Sequence, residues 1–508
     1  MGTNRQQHLN QALMRIPRRA ENTDRYTLAT TYVSAGSFSA MLHSTDHQIL
    51  YGRRGTGKTH ALLFLSDLIQ RTGDIPIYLD LRTIGSAGGM YADSTMSAAV
   101  RGTHLLVDTL EAVHDELLTF AIEEEHEVLG SLDALAEAST AVHVVGEVER
   151  ETKVAGSSES KYGFELDAKP SVRFTTERRD TASAESRLRR TGVEQHHVVF
   201  GPLSRALRGI GKALGRRRLW LLLDEWSSVP LDLQPLLADL LRRSVLPVPG
   251  ISVKIAAIER RSRFSQPTPA GDYIGIELGA DAATAVSLDD FMVFNHARTD
   301  AQEFFGQLFY NHARLARMTE TPVDAAAFVE QAFKRNAFLE LVRAAEGVPR
   351  DAINIAALAA QNAHHDMIDL ADVRRAARDW YLRDKQAAIN SNPTARTTLR
   401  KLVDEVVGKR RSRTFLLEHA AGSEHHAVDE LYDARLLHVL RRGIVDKHHP
   451  GTLYDGFAID YGCYVSLLLG GELPSRPRHR SGWLNWAQGV PPDDFDFGAE
   501  AINLAALE

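Results

Sequence analysis

Residues 52–59 read Gly-Arg-Arg-Gly-Thr-Gly-Lys-Thr, behind a short apolar run (Ile49, Leu50, Tyr51) and ahead of a helical pattern from His60 to Ile69. A strand, a glycine-rich turn and a helix in that order leave little freedom. The helix must fold back on the strand while its N-terminus faces the turn. Glycines let the backbone curl until consecutive N–H groups converge, and a helix opening at Lys58 adds its positive end to the same point. The G-x-x-x-x-G-K-[ST] spacing therefore predicts a nucleoside triphosphate ligand. Lys58 would neutralise the β- and γ-phosphates, and the Thr59 hydroxyl would ligate Mg²⁺. The expected nucleotide-binding stretch is Gly52, Arg53, Arg54, Gly55, Thr56, Gly57, Lys58, Thr59 and His60. Two roles are open to Arg53 and Arg54: holding phosphate, or pointing outward to a neighbouring element.

A phosphate loop needs carboxylates opposite it, to hold the metal and orient water. Leu219-Trp-Leu-Leu-Leu-Asp224-Glu225 supplies them as an apolar run suited to a buried parallel strand, with both acids at its C-terminal end. Asp224 would hold Mg²⁺ through water, and Glu225 would polarise the attacking water. ATP is expected rather than GTP, because no Asn/Thr-Lys-x-Asp guanine-reading stretch is evident.

The 508 residues are enough for about three domains. A net charge of −7 argues against a general nucleic-acid coat. The single cysteine, Cys463, excludes an internal disulfide and a thiolate-rich metal site. No secretory apolar core opens the chain and no apolar run is long enough for a bilayer, so a cytoplasmic protein without membrane contact is expected. Four adjacent histidine pairs lack the carboxylate–histidine spacing of a metal site.

Regular apolar runs set the organisation. A polar N-terminal segment (1–44) precedes an ATPase core (45–300) with strands at Ile49, Ile75–Leu81, Leu219–Asp224, Ile251–Ile258 and Tyr273–Leu278. Strands interleaved with helices predict an α/β, doubly wound parallel sheet. The long gap between the second and third strands holds an insertion at about 97–200. It comprises a helical stretch, a β-hairpin read from Val142–Val154 and Tyr162–Phe174, and a charged stretch Thr176–Arg190. A helical lid (301–388) follows. The helix-breaking Asn390-Ser-Asn-Pro393 then opens a smaller domain (389–470), read as helices at Ala395–Val407, Thr414–Ala421 and Ala427–Leu440 with short extended runs near Ile444 and Phe457–Ile459. A tail (471–508) rich in Pro, Asp and Ala reads as a docking segment.

Gly52–Thr59, Leu219–Glu225 and Gly347-Val-Pro-Arg350-Asp-Ala-Ile353 together resemble AAA+ ATPases of the origin-recognition initiator type, with kinship to STAND signalling ATPases. The resemblance covers roughly residues 45–470. It implies that Arg350 acts as the second sensor on the nucleotide phosphates, with Pro349 near the adenine, and that the 389–470 domain is a winged helix. It also implies an arginine finger acting on a neighbouring copy, for which Arg260, Arg261 and Arg263 are candidates and Arg263 is carried as a catalytic residue. At Glu259 the family usually has a neutral first sensor, so that role has no clear holder here.

The resemblance leaves two functions open. In one, ATP gates an assembly or signalling switch whose output goes to a protein partner, as in STAND ATPases or phage-defence systems. In the other, the ATPase loads or remodels partners on DNA. A homo-oligomer is expected in either case. Acidic residues at 429, 430 and 433 on the helix that would enter a major groove tell against DNA, because negative charge facing phosphate is costly, whereas Lys409–Arg413, Arg441, Arg442 and Lys447 could grip a backbone.

Overall fold

A computed structural model describes residues 2–20, 23–34, 38–84, 97–123, 128–140, 142–145, 195–198, 200–268, 271–281, 284–291, 298–315, 322–418, 426–446, 449, 451–473, 497 and 501–502. The expected extended run Tyr162–Phe174, the charged stretch Thr176–Arg190 and most of the tail fall outside them.

The central sheet is built from β1 (Gln48–Tyr51), β2 (Ile75–Asp80), β5 (Leu219–Asp224), β6 (Ile251–Ala257) and β9 (Thr284–Ser287), in the order β2-β5-β6-β1-β9. Every pair is parallel. β5 is buried along its whole length because both faces of the sheet are covered. Trp220 and Leu222 pack on one side with Leu62, Leu65 and Ile69 of the phosphate-loop helix. Leu219, Leu221 and Leu223 pack on the other, against helices Ala98–Glu123, Phe200–Ala213 and Gln234–Ser244. This is the doubly wound α/β arrangement the sequence predicts.

The fifth strand is not where apolar alternation puts it. Tyr273–Gly275 (β8) pairs antiparallel with Ser265–Pro267 (β7) in a separate ribbon, and β9 takes the sheet edge. Gly275 explains the change: at φ 119° its backbone crosses Phe264 so closely that a Cβ would lie 1.9 Å from the Phe264 carbonyl oxygen. In the insertion, Val142–Val145 (β3) pairs antiparallel with Gln195–Val198 (β4), which lies far beyond the expected partner run.

Helices Arg298–Leu315, Ala325–Ala332, Ala337–Ala345, Pro349–Ala363 and Leu370–Trp380 share one apolar core at the place of the expected lid, and are termed the lid. Helix Gly2–Met14 joins it. Leu9, Ala12 and Leu13, spaced to share one helix face, enter the lid core with Ile16 just past the helix end, and Asn10 Nδ2 donates to the carbonyls of His364 (2.9 Å) and Asp366 (3.0 Å). A polar segment is thus a lid element.

Next come helix Pro393–Leu402, β10 (Thr414–Glu418), helix His426–Asp433, β11 (Leu437–Val445), β12 (Leu453–Ile459) and helix Tyr461–Leu469. Thr414–Glu418, read as helix from sequence, is a strand. Phe415 and Leu417 enter the lid core while Leu416 faces the opposite side, the two-residue period of a sheet covered on both faces. The long helix read to Leu440 stops at Asp433, where Arg435 at φ 61° turns the chain into β11. The sheet order is β10-β12-β11, all antiparallel.

Candidate nucleotide site

The loop between β1 and helix Lys58–Arg71 has Gly55 at φ 85° and Gly57 at φ 98°, left-handed values that glycine adopts without strain. Gly52 is needed for closeness instead, since a Cβ there would lie 2.5 Å from Thr56 Oγ1. Lys58 Nζ is curled across the loop, donating to the carbonyls of Gly52 (2.7 Å) and Arg53 (3.1 Å). Burial holds its pKa below the usual lysine value, against the pull of Asp224, Glu225 and Asp289. Thr59 follows at the first turn of the helix and Arg54 is exposed. His60 sits apart from the loop's turn, with Nε2 donating to Leu28 O (2.9 Å) and its ring edge-on to Tyr32.

Parallel register sets Asp80 of β2 beside Asp224 of β5. Asp224 is fully buried. It accepts from Tyr78 Oη on Oδ2 (2.8 Å) and from the Glu225 N–H on Oδ1 (2.8 Å). Glu225 is held left-handed at φ 56°, an uncommon and costly conformation for a non-glycine residue that is often seen at functional sites. Burial, then the neighbouring Asp224, raises its pKa. Arg82, paired with Asp80 at 2.6 Å, reaches to 3.9 Å from Glu225. Tyr78 and Arg82 carry no motif and were not legible from sequence.

The lid closes on the loop from the other side. Gly347 (φ 78°) turns the chain, Pro349 opens helix Pro349–Ala363, and the Arg350 N–H donates to Gly55 O (3.2 Å). A Cβ on Gly55 would lie 2.7 Å from Arg350 Cβ, so loop and lid touch where only glycine fits. Asp224, Glu225 and Arg350 thus lie within electrostatic reach of Lys58, which Thr59 follows in the chain.

Arg53, expected among the nucleotide-binding residues, is committed elsewhere. It is buried; its N–H and Nε donate to the two Asp289 oxygens (2.9 and 2.8 Å), and Nη1 donates to His438 Nδ1 on β11. From His438 a buried chain continues through Asp460 (2.9 Å), Lys385 (2.5 Å) and Asp351 (2.9 Å). Asp351 adjoins Arg350 in the sequence. Asp289, His438, Asp460 and Lys385 lie on four separate segments, and no local spacing announces them.

The basic run after β6 is also committed. Arg260 pairs with Asp429, Arg261 with Asp433 (2.5 Å), and Arg442 with both oxygens of Glu259 (2.6 and 2.5 Å). Asp429 and Asp433 of helix His426–Asp433 therefore pair with the core, at half-exposed positions. Arg263 is exposed, with its backbone N–H on Gln234 Oε1 (2.6 Å), and is not brought to the loop. No helix among the described residues is long and apolar enough to cross a membrane.

No family model and no curated protein matches the chain. Among solved structures it is similar to the Orc1 protein of Aeropyrum pernix in complex with DNA, at 12% identity and a TM-score of 0.32, over 89% of this chain and 98% of that one. It is likewise similar to Drosophila ORC bound to DNA, at 12% identity and a TM-score of 0.31, over 89% of this chain and 94% of that one. Likeness at this level does not bear on chemistry.

Proposed function

We propose that the chain is a Mg²⁺-dependent ATPase of AAA+ type, working as a nucleotide-gated switch whose output is assembly or signalling to a protein partner. One observation carries the gating: Arg53, inside the phosphate loop, is gripped by His438 of the C-terminal domain. Any shift of the loop on nucleotide binding or hydrolysis would reach that domain through a hydrogen bond rather than through a long lever.

In this reading Lys58 moves from the loop carbonyls onto the β- and γ-phosphates, a modest exchange for a lysine already in the loop. Thr59 and Asp224 offer oxygen donors alone, which suits Mg²⁺, a hard cation that fills its remaining positions with phosphate and water. Held by these residues, Mg²⁺ would supply neutralisation of the charge that develops on the phosphoryl group. Glu225, with its raised pKa, takes up proton density from the attacking water. Arg350 faces the phosphates from the lid, with Pro349 placing its helix. Arg263, exposed and tied only through its backbone, serves as the finger toward a second copy in a homo-oligomer, since Arg260 and Arg261 are engaged within the chain.

A second reading, an ATPase acting on DNA through a winged-helix-like domain, gains from one observation. The acids at 429 and 433 that oppose DNA contact are paired with Arg260 and Arg261 respectively. ATP turnover and molar mass, measured for wild type, Lys58→Ala and Glu225→Gln with and without duplex DNA, separate the two. Loss of turnover in both variants with ATP-dependent assembly kept in Glu225→Gln supports the site. Stimulation by DNA selects the second reading, and no nucleotide binding at all overturns both.

A further inference from the structure

The three-stranded sheet has two apolar faces. Its inner face, with Phe415, Leu417, Phe457 and Ile459, is buried in the lid core. The outer face presents Leu416, Leu440, Ile444, Tyr454 and Ala458, and Phe497 of the tail lies over it, stacked on Tyr454 with ring centroids 5.0 Å apart. Phe497 and Ile502 are 6% and 4% exposed, so the tail places two anchors. Between them the backbone joins the sheet. The Ile502 N–H donates to Leu416 O (2.8 Å), Ala501 bridges Leu416 in parallel register, and both Arg410 Nη atoms donate to Ala501 O (3.4 Å).

β10 is an edge strand, and an exposed edge invites an added strand whose backbone gives affinity and whose alternate side chains give specificity. Residues 493–502 carry Asp493, Asp494, Asp496 and Glu500 and no basic residue, a charge that suits Arg410 at the groove, which also pairs with Glu405 (3.3 Å). The segment 474–496 is long enough to bring the tail to this edge from its own chain or from a neighbouring one, because an extended chain advances about 3.3 Å per residue. The contact itself is one bridge and two side chains.

We propose that the outer face and β10 edge form a peptide-docking site whose occupant is the tail segment Phe497–Ile502, held within one chain and exchangeable with the tail of a second copy. Recognition reads an aromatic side chain at position 497 and an aliphatic one at 502, with the Ala501 N–H donating to Phe497 O (2.8 Å) between them.

A fluorescent peptide of residues 490–508 tests this on the full chain carrying Phe497→Ala and Ile502→Ser, which vacates the groove. The peptide should bind that variant at least about tenfold more tightly than wild type, whose tethered tail competes at high effective concentration. The Phe497→Ala form of the peptide should lose that binding, and added salt should weaken it. Equal binding to variant and wild type, or none to a variant that melts like wild type, overturns the proposal. If the double variant melts differently, Ile502→Pro, which removes the N–H donated to Leu416 together with the isoleucine anchor while keeping Phe497, takes its place with the same two outcomes.

Discussion

Arg53 of the phosphate loop and His438 of β11 are in hydrogen-bond contact across 385 residues of sequence. An arginine only donates, so His438 accepts at Nδ1 and carries its hydrogen on Nε2, where Asp460 accepts it. That tautomer is neutral, in keeping with burial and Arg53 holding the histidine's pKa below its usual value. His438→Lys sets a cation against Arg53. Release of a fluorescent ATP analogue, followed by stopped flow, should then accelerate by roughly 10- to 100-fold, an upset of about 1.4 to 3 kcal/mol at a charged hydrogen bond. An unchanged release rate would detach this contact from nucleotide gating.

Asp460 accepts from Lys385 and His438 and is buried, and its pKa is driven well down by Lys385 despite burial. Asp460→Ala leaves a buried ammonium short of a partner. Chemical denaturation should show a loss of about 3–5 kcal/mol, whereas replacing an exposed acid such as Asp404 should change stability by less than about 0.5 kcal/mol.

Glu225→Gln should lower turnover by about 10²–10⁴-fold while nucleotide binding persists, the range for a positioned general base. Its raised pKa adds a pH signature. The folded chain keeps the Glu225 proton to higher pH than the unfolded chain, so the side chain costs stability once pH passes through that window. Glu225→Gln should therefore melt above wild type at pH 7, with a smaller difference at pH 4. An equal difference at both would place the carboxylate in an ordinary solvated setting.

Lys254 is buried in β6, donating to Ser44 O (2.7 Å), Asp46 O (2.9 Å) and Gln48, with its pKa lowered by burial to about 7. The unfolded chain binds the extra proton between that value and the ordinary one, so stability should rise with pH over this interval. Relative to Lys254→Met, wild type should gain about 2–3 kcal/mol between pH 7 and pH 9.5. A flat difference would mean that the lysine stays charged in the core.

The pairs joining core and C-terminal domain are half-exposed, each worth about 0.2–1 kcal/mol. Asp429→Lys with Asp433→Lys turns two attractions into repulsions against Arg260 and Arg261. Solution scattering should record a larger radius of gyration, and adding Arg260→Asp with Arg261→Asp should reverse it. Failure of the fourfold variant to recover would show that apolar packing, not these charges, sets the domain position.

The strand, glycine turn and helix at 48–71 and the strand ending at Asp224 were legible because each is local: backbone freedom, helix polarity and a buried apolar run all act within a few residues. Arg350 was reached only through resemblance, yet it lies on Gly55. What escaped reading is non-local. Arg53 finds Asp289 and His438 only when three distant segments meet, and Tyr78 reaches Asp224 through strand register. Local signals also misled where tertiary context won. The run at Tyr273 alternates like a core strand but is diverted at Gly275, and Thr414–Glu418 looks helical until its two faces are seen to be buried separately.

Helix Gly2–Met14 has a further consequence for how the chain is made. Its Asn10 bonds to a carbonyl 354 residues downstream, so at about 5–20 residues per second the ribosome needs roughly 20 to 70 s to supply the partner. Through that interval Leu9, Leu13 and Ile16 travel as an uncovered greasy stripe on a nascent chain whose sheet can already close. The helix is a debt contracted when it is made and discharged only when the lid emerges, which makes it a natural handle for chaperones.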